Sequence, residues 1–227
     1  MSQVLYIIHG WTYTTKYWDK TIALLEKSGI KVKLLHVPGL TATPKDKIFT
    51  IDDYVTWADK NLPQNAIVLG HSNGGRILLN LSAKHPNKLK HLILLNSAGI
   101  YYQPLRVKFL RATSKIFSFL KKIPLLRKIL YKVLGISDYN QAPPNMKKTL
   151  AHMIQSDKNL DIAKIKIPTS ILWGDADKTT PVWQGRKIHD QITGSTFKSF
   201  PDWDHAPYIK HPKTLTQEII KIMENIR

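Results

Sequence analysis

A chain of 227 residues, 43% apolar and 22% charged, is long enough to bury a core of its own, which excludes disorder, fibrous repeats and stapled mini-folds. It has no cysteine, so disulfides, thiolate zinc sites and thiol nucleophiles are excluded together. With 34 basic and 16 acidic side chains its formal charge is +18, a field that attracts nucleic acid, anionic lipid or an acidic protein, or a lysine-rich surface that serves solubility alone.

Met1 to Ile8 carry no basic leader, and no apolar stretch reaches the roughly 18 residues of a membrane span, so a soluble cytoplasmic protein is expected. In chain order, Val4 to Ile8 reads as a strand ending at His9-Gly10, and Lys16 to Ser28 as a helix. Lys31 to His36 is a strand stopped by Val37-Pro38-Gly39, and Ile51 to Asn61 a second helix. Ala66 to Leu69 is a strand before Gly70, Gly75 to His85 a helix, and Leu92 to Leu95 a strand before Asn96-Ser97. Two more strands are expected at Thr169 to Trp173, before Gly174-Asp175, and at Ser195 to Phe200, before Pro201-Asp202. Short, continuous apolar runs have both faces buried, and their alternation with helices predicts a doubly wound, mostly parallel α/β sheet.

The alternation breaks between Tyr101 and Leu160, where helical stretches are punctuated by Pro104, Pro124, Pro143 and Pro144. This segment reads as a helical cap, residues 101–160, inserted into a core domain made of residues 1–100 and 161–227. It holds twelve Lys or Arg against Asp138 and Asp157 alone, more than half of the excess charge.

Gly70-His71-Ser72-Asn73-Gly74 fits the G-x-S-x-G pattern, in which a strand turns sharply into a helix and exposes a serine hydroxyl. Such a serine needs a base to take its proton and a carboxylate to orient the base. In this pattern both follow the serine, acid first, in loops at the carboxyl ends of later strands. Trp173-Gly174-Asp175-Ala176-Asp177 and Asp204-His205-Ala206-Pro207 stand in that order. No HExxH or other metal-ligand spacing is present, so neither a metal nor a cofactor is expected.

Together with His9-Gly10-Trp11, Pro181 and His211-Pro212, these pieces make the chain resemble the α/β-hydrolase superfamily over nearly its whole length apart from the cap. The resemblance implies Ser72 as nucleophile, His205 as base and Asp177 as acid, with Asp175 shaping the acid's loop. It places one oxyanion donor at the Trp11 backbone N–H, and the residue after the nucleophile, Asn73, supplies the other. His9, Gly10, Gly70, His71 and Gly74 are expected to support the site, the histidines by hydrogen bonding. Asn73 stands where many relatives carry Met or Leu and is expected to make one wall of the acyl pocket polar. Trp11, Tyr13, Tyr17 and Trp18 are expected to line an entrance. The chain starts almost at the strand before His9, so a sheet shortened at the N-terminus is expected, and Pro38 to Pro44 lacks the G-x-G-x-S form frequent in relatives.

The leading functional expectation is a serine esterase that forms an acyl-enzyme with a small to medium acyl chain. An alternative keeps the triad but has the basic cap dock an acidic carrier protein or an anionic membrane, as in a thioesterase, carrier-bound ester hydrolase or lipase. A further alternative is a non-catalytic binding protein on the same fold. The charge accompanies no nucleic-acid motif, so no such partner is expected.

Overall fold

The computed structural model describes residues 3–102 and 142–226. Six strands form one sheet: β1 (Val4–Ile8), β2 (Lys31–Leu35), β3 (Ala66–His71), β4 (Leu89–Leu95), β5 (Thr169–Gly174) and β6 (Thr196–Phe200). Their spatial order is β2-β1-β3-β4-β5-β6, and every pairing is parallel. The longer described helices that flank it are α1 (Asp19–Lys27), α2 (Ile51–Asn61), α3 (Asn73–Lys84), α4 (Pro144–Ser156), α5 (Val182–Gln191) and α6 (Pro212–Asn225).

The period-2 geometry of a strand sends alternate side chains to opposite faces, and here both faces are covered. Leu5, Ile7, Ile67, Leu69, Ile93 and Leu95 pack beneath α1 and α6, against Leu25, Leu215, Ile219 and Met223. Ile8, Val68, Leu92, Leu94 and Ile171 point the other way and meet residues of α2, α3, α4 and α5, among them Tyr54, Leu78, Met146 and Ile188. Each fully buried Leu or Ile contributes about 1.5–3 kcal/mol by leaving water. A strand shifted by one residue would exchange the two sets and lose both.

All six expected strands are present; β1 has the expected bounds, and each of the others has one end moved by one to three residues. The expected helix Lys16 to Ser28 is instead a 3₁₀ turn, Lys16–Trp18, running into α1. α3 begins two residues earlier than the sequence pattern, directly after Ser72. Helix α6 was missed, although Pro212 at its first position and Leu215, Ile219 and Met223 at four-residue spacing mark it. Of the expected cap, residues 103–141 lie outside the described residues. The rest of that stretch is largely α4, whose Met146 and Met153 are fully buried in the α2–α3 side of the core, while Thr149 accepts the Phe49 N–H at 2.9 Å.

The strand order reverses direction at β1, whose neighbours are β2 on one side and β3 on the other. The chain leaves β1 toward β2 and returns past it to β3, so the loops after β1 and β3 diverge at the carboxyl edge of the sheet. In open α/β sheets that divergence opens the crevice where ligands bind.

Candidate active site

Ser72 occupies the turn between β3 and α3 with φ 51° and ψ −118°, a backbone conformation that non-glycine residues rarely adopt. What tolerates it is the absence of side chains around it. A Cβ on Gly74 would run into the carbonyl oxygen of Ile8, and one on Gly70 would lie 2.7 Å from the Gly75 Cα. β1, the turn and α3 can thus approach one another only with glycine at these places. The Ser72 N–H bonds the Leu95 carbonyl at 3.2 Å, and its own carbonyl accepts from Ala98 at 3.0 Å and Arg76 at 3.2 Å.

Two further loops bring side chains to Ser72. His205, after β6, has Nε2 3.0 Å from Ser72 Oγ and Nδ1 2.7 Å from Asp177 Oδ2, after β5. A carboxylate only accepts, so Nδ1 carries the proton and Nε2 is left bare toward the serine hydroxyl. Asp177 is buried, and all its acceptor capacity is used. Oδ1 accepts the N–H groups of Thr179 at 2.7 Å and Thr180 at 2.9 Å, and Oδ2 accepts the Thr180 hydroxyl at 2.8 Å besides His205. Asp175 takes no part in this arrangement: its side chain is exposed, and its N–H bonds the Phe200 carbonyl at 2.9 Å.

His9 and His71 are both buried, and neither reaches Ser72 by hydrogen bond. His9 Nδ1 donates to the Gly10 carbonyl at 2.7 Å, and Nε2 meets the Thr41 hydroxyl at 2.7 Å. Burial lowers its pKa to about 4 against the hydrogen bond to Gly10, so the ring is neutral at physiological pH. His71 Nε2 donates to the His205 carbonyl at 2.7 Å, and burial first, then the neighbouring His205, holds it well below the usual histidine range. Gly10 lies directly against this pair, since a Cβ there would sit 2.8 Å from His71 Nδ1 and 3.0 Å from Ser72 Cβ. The backbone leading to Trp11 is thereby brought beside the serine.

Trp11 is half-buried and packs on the core, and Tyr13 and Tyr17 are 44% and 56% exposed. Trp18 does not line an entrance. It is 1% exposed, stacked on Tyr208 at 4.0 Å and set edge-on to His71, so it fills the core beneath the histidine instead.

Asn73 is 3% exposed, and its side chain is engaged: Oδ1 accepts from Arg76 Nη1 at 2.6 Å. Arg76 in turn makes a two-pronged pair with Asp157, Nε to Oδ1 at 2.8 Å and Nη2 to Oδ2 at 2.9 Å. Burial pushes the Asp157 carboxyl above the usual carboxylate range, and the Arg76 charge opposes that. The sequence reading missed this network because 81 residues separate Arg76 from Asp157 and only one Asp in a basic segment marks it. It also missed Thr180 and Asn96, which support the two loops described above.

The N–H of Asn73 is the first of α3, and N–H groups in a first turn have no intrahelical acceptor, so this end of the helix faces Ser72 with its positive pole. Among the described residues no cluster of three or more His, Asp or Glu could hold a metal ion, and no helix is long and apolar enough to cross a membrane.

Known proteins resemble the chain in sequence and in fold. The pimeloyl-[acyl-carrier protein] methyl ester esterase of Chromobacterium violaceum is 22% identical over 96% of this chain and 93% of its own length. The enzyme of the same name from Wigglesworthia glossinidia brevipalpis is 26% identical over 92% and 88%. Among solved structures, that of a carboxylesterase of the thaumarchaeon Nitrososphaera gargenis superposes with a TM-score of 0.72 at 17% identity, covering 99% of this chain and 91% of that one. The sequence profile described as alpha/beta hydrolase fold matches residues 3–122, more than half of the chain. With the parallel sheet, the strained serine turn after β3 and this match in hand, the chain belongs to the α/β-hydrolase fold family.

Proposed function

We propose that the chain is a serine esterase in which Ser72, His205 and Asp177 act as nucleophile, base and orienting acid. One observation carries the reading: an unbroken relay from Ser72 Oγ through both nitrogens of His205 to Asp177, at 3.0 and 2.7 Å. Ser72 Oγ attacks the ester carbonyl carbon while His205 Nε2 takes its proton. The carbonyl oxygen becomes an oxyanion that the backbone N–H groups of Trp11 and Asn73 stabilise, each such donor contributing about 3–4 kcal/mol to the transition state. As the tetrahedral adduct collapses, the C–O bond breaks and His205 gives the proton to the leaving alcohol. Water, deprotonated by His205, then attacks the acyl-enzyme and releases the acid. Asp177 stabilises the imidazolium throughout, and its two backbone donors and Thr180 keep it in place.

The test is hydrolysis of p-nitrophenyl esters from acetate to palmitate by the wild type and Ser72→Ala. Turnover of the shorter esters by the wild type alone supports the reading, and the chain-length optimum sizes the acyl pocket. Equal rates for both proteins would overturn it.

Two observations favour a carrier-bound ester as the natural substrate. The relatives that match nearly full length are named as esterases of an acyl-carrier-protein ester, and a formal charge of +18 suits an acidic carrier. Salt would then slow turnover of an acyl-carrier-protein methyl ester far more than that of a p-nitrophenyl ester. The same salt response for both would remove the carrier.

A further inference from the structure

The proposed relay depends on three side chains that no covalent link holds together, since Ser72, Asp177 and His205 follow three different strands. One short stretch, Leu95–Ala98 at the end of β4, touches all three of their loops. Leu95 and Ala98 bond the Ser72 backbone on its N–H and carbonyl sides. Asn96 takes the other two. Its Oδ1 accepts the Gly174 N–H at 2.8 Å, at the start of the Asp177 loop, and its Nδ2 donates to the Asp204 carbonyl at 2.6 Å, the residue before His205. Its backbone adds one more tie, from its N–H to the Leu172 carbonyl at 3.1 Å, and its carbonyl lies 3.1 Å from the hydroxyl of Thr180, whose proton goes to Asp177.

The residue type fits these tasks closely. Asn96 is fully buried at φ 44°, in the left-handed region that asparagine tolerates better than other side chains except glycine. Its amide offers one acceptor and one donor on the same rigid plane, which an N–H on one side and a carbonyl on the other require. An aspartate of the same shape would set an acceptor against the Asp204 carbonyl. A leucine would leave the buried Gly174 N–H and the half-buried Asp204 carbonyl without these partners.

We infer that Asn96 is a positioning residue for the esterase reaction: its side-chain amide clamps the Asp177 and His205 loops to each other and sets the His205–Asp177 hydrogen bond. Misplacing a catalytic group by about 1 Å costs on the order of a hundredfold in rate. Asn96 touches no reacting atom, so its removal acts on kcat and leaves substrate binding alone. This inference rests on the proposed triad, and the experiment separates the two.

The decisive variant is Asn96→Gly, which accepts the positive φ and deletes only the amide. kcat and KM for p-nitrophenyl acetate are measured beside the wild type and Ser72→Ala, and proton NMR follows the downfield resonance of the His205 Nδ1–H. The expected result is a kcat lower by about a hundredfold, a KM within about twofold of wild type, and loss or displacement of that resonance. A kcat within about twofold of wild type, or a fall in kcat with the resonance unmoved, overturns the inference. Asn96→Asp, which keeps the shape and the acceptor but not the donor, gives the same readings if the glycine variant does not fold. Turnover retained by Ser72→Ala would instead overturn the esterase reading, and the NMR resonance would still report on Asn96.

Discussion

Buried neutral histidines beside the serine turn make the protein labile to acid, and His9 allows the effect to be worked out. Its pKa falls from 6.5 to about 4 on folding, because burial removes the imidazolium from water and the nearby His36 disfavours its charge, which together outweigh the hydrogen bond to the Gly10 carbonyl. A group whose folded pKa is depressed contributes stability that is present above the unfolded value and lost as pH falls toward the folded one. The loss from His9 therefore runs from about pH 6.5 down to about pH 4. At about pH 5 the unfolded ring is almost wholly protonated and the native ring only about a tenth, a penalty of about 2 kcal/mol relative to pH 7.5. His71, held well below the usual range, adds to the loss in the same direction. Urea unfolding followed by tryptophan fluorescence at pH 7.5 and 5 measures it, on the wild type and on His9→Gln, whose amide can donate and accept but not titrate. The pH-dependent loss in the variant is expected to be smaller by about 2 kcal/mol. Equal losses in the two proteins would refute the argument, since His9 would then take up its proton as readily folded as unfolded.

The Arg76–Asp157 pair is buried on both sides, so Asp157→Ala is expected to destabilise the fold by about 3–5 kcal/mol by stranding the guanidinium, as read by urea unfolding. Arg76→Met combined with Asp157→Leu is expected to recover most of that loss; a double variant as unstable as the single one would show that the pair itself, not the stranded charge, holds the segment. Thr180→Val removes one hydrogen bond to the Asp177 carboxylate and is expected to lower kcat/KM about tenfold or more, measured on p-nitrophenyl acetate, and to cost about 1–3 kcal/mol of unfolding free energy. An unchanged kcat/KM would mean that the two backbone donors hold Asp177 unaided.

The sheet was legible because each buried strand is a short apolar run stopped by turn residues, from Val4–Ile8 before His9-Gly10 to Thr169–Gly174 before Asp175. Such runs need no tertiary information, since burial on both faces writes itself into consecutive positions. The G-x-S-x-G turn was legible for a related reason: glycines at 70 and 74 are demanded by backbone approach, and sequence records that demand directly. Asn73 and Trp18 were harder. One was expected at a pocket wall and the other at an entrance, yet the first is tied up by Arg76 and the second lies under His71. Both outcomes depend on partners far along the chain, which local pattern does not encode. Asn96 illustrates the limit best, for it reads as an ordinary turn residue until β5 and β6 bring Gly174 and Asp204 to its amide.

The central claim is that Ser72 is a nucleophile activated by His205. The most direct measurement is reaction with a fluorophosphonate, which needs no knowledge of the natural substrate, followed by mass analysis of the tryptic peptides of wild type and His205→Ala. The account predicts a single phosphonyl group on the peptide carrying Ser72, with labelling slowed by orders of magnitude in the variant. Labelling at another serine, no labelling at all, or equal rates in both proteins would contradict it.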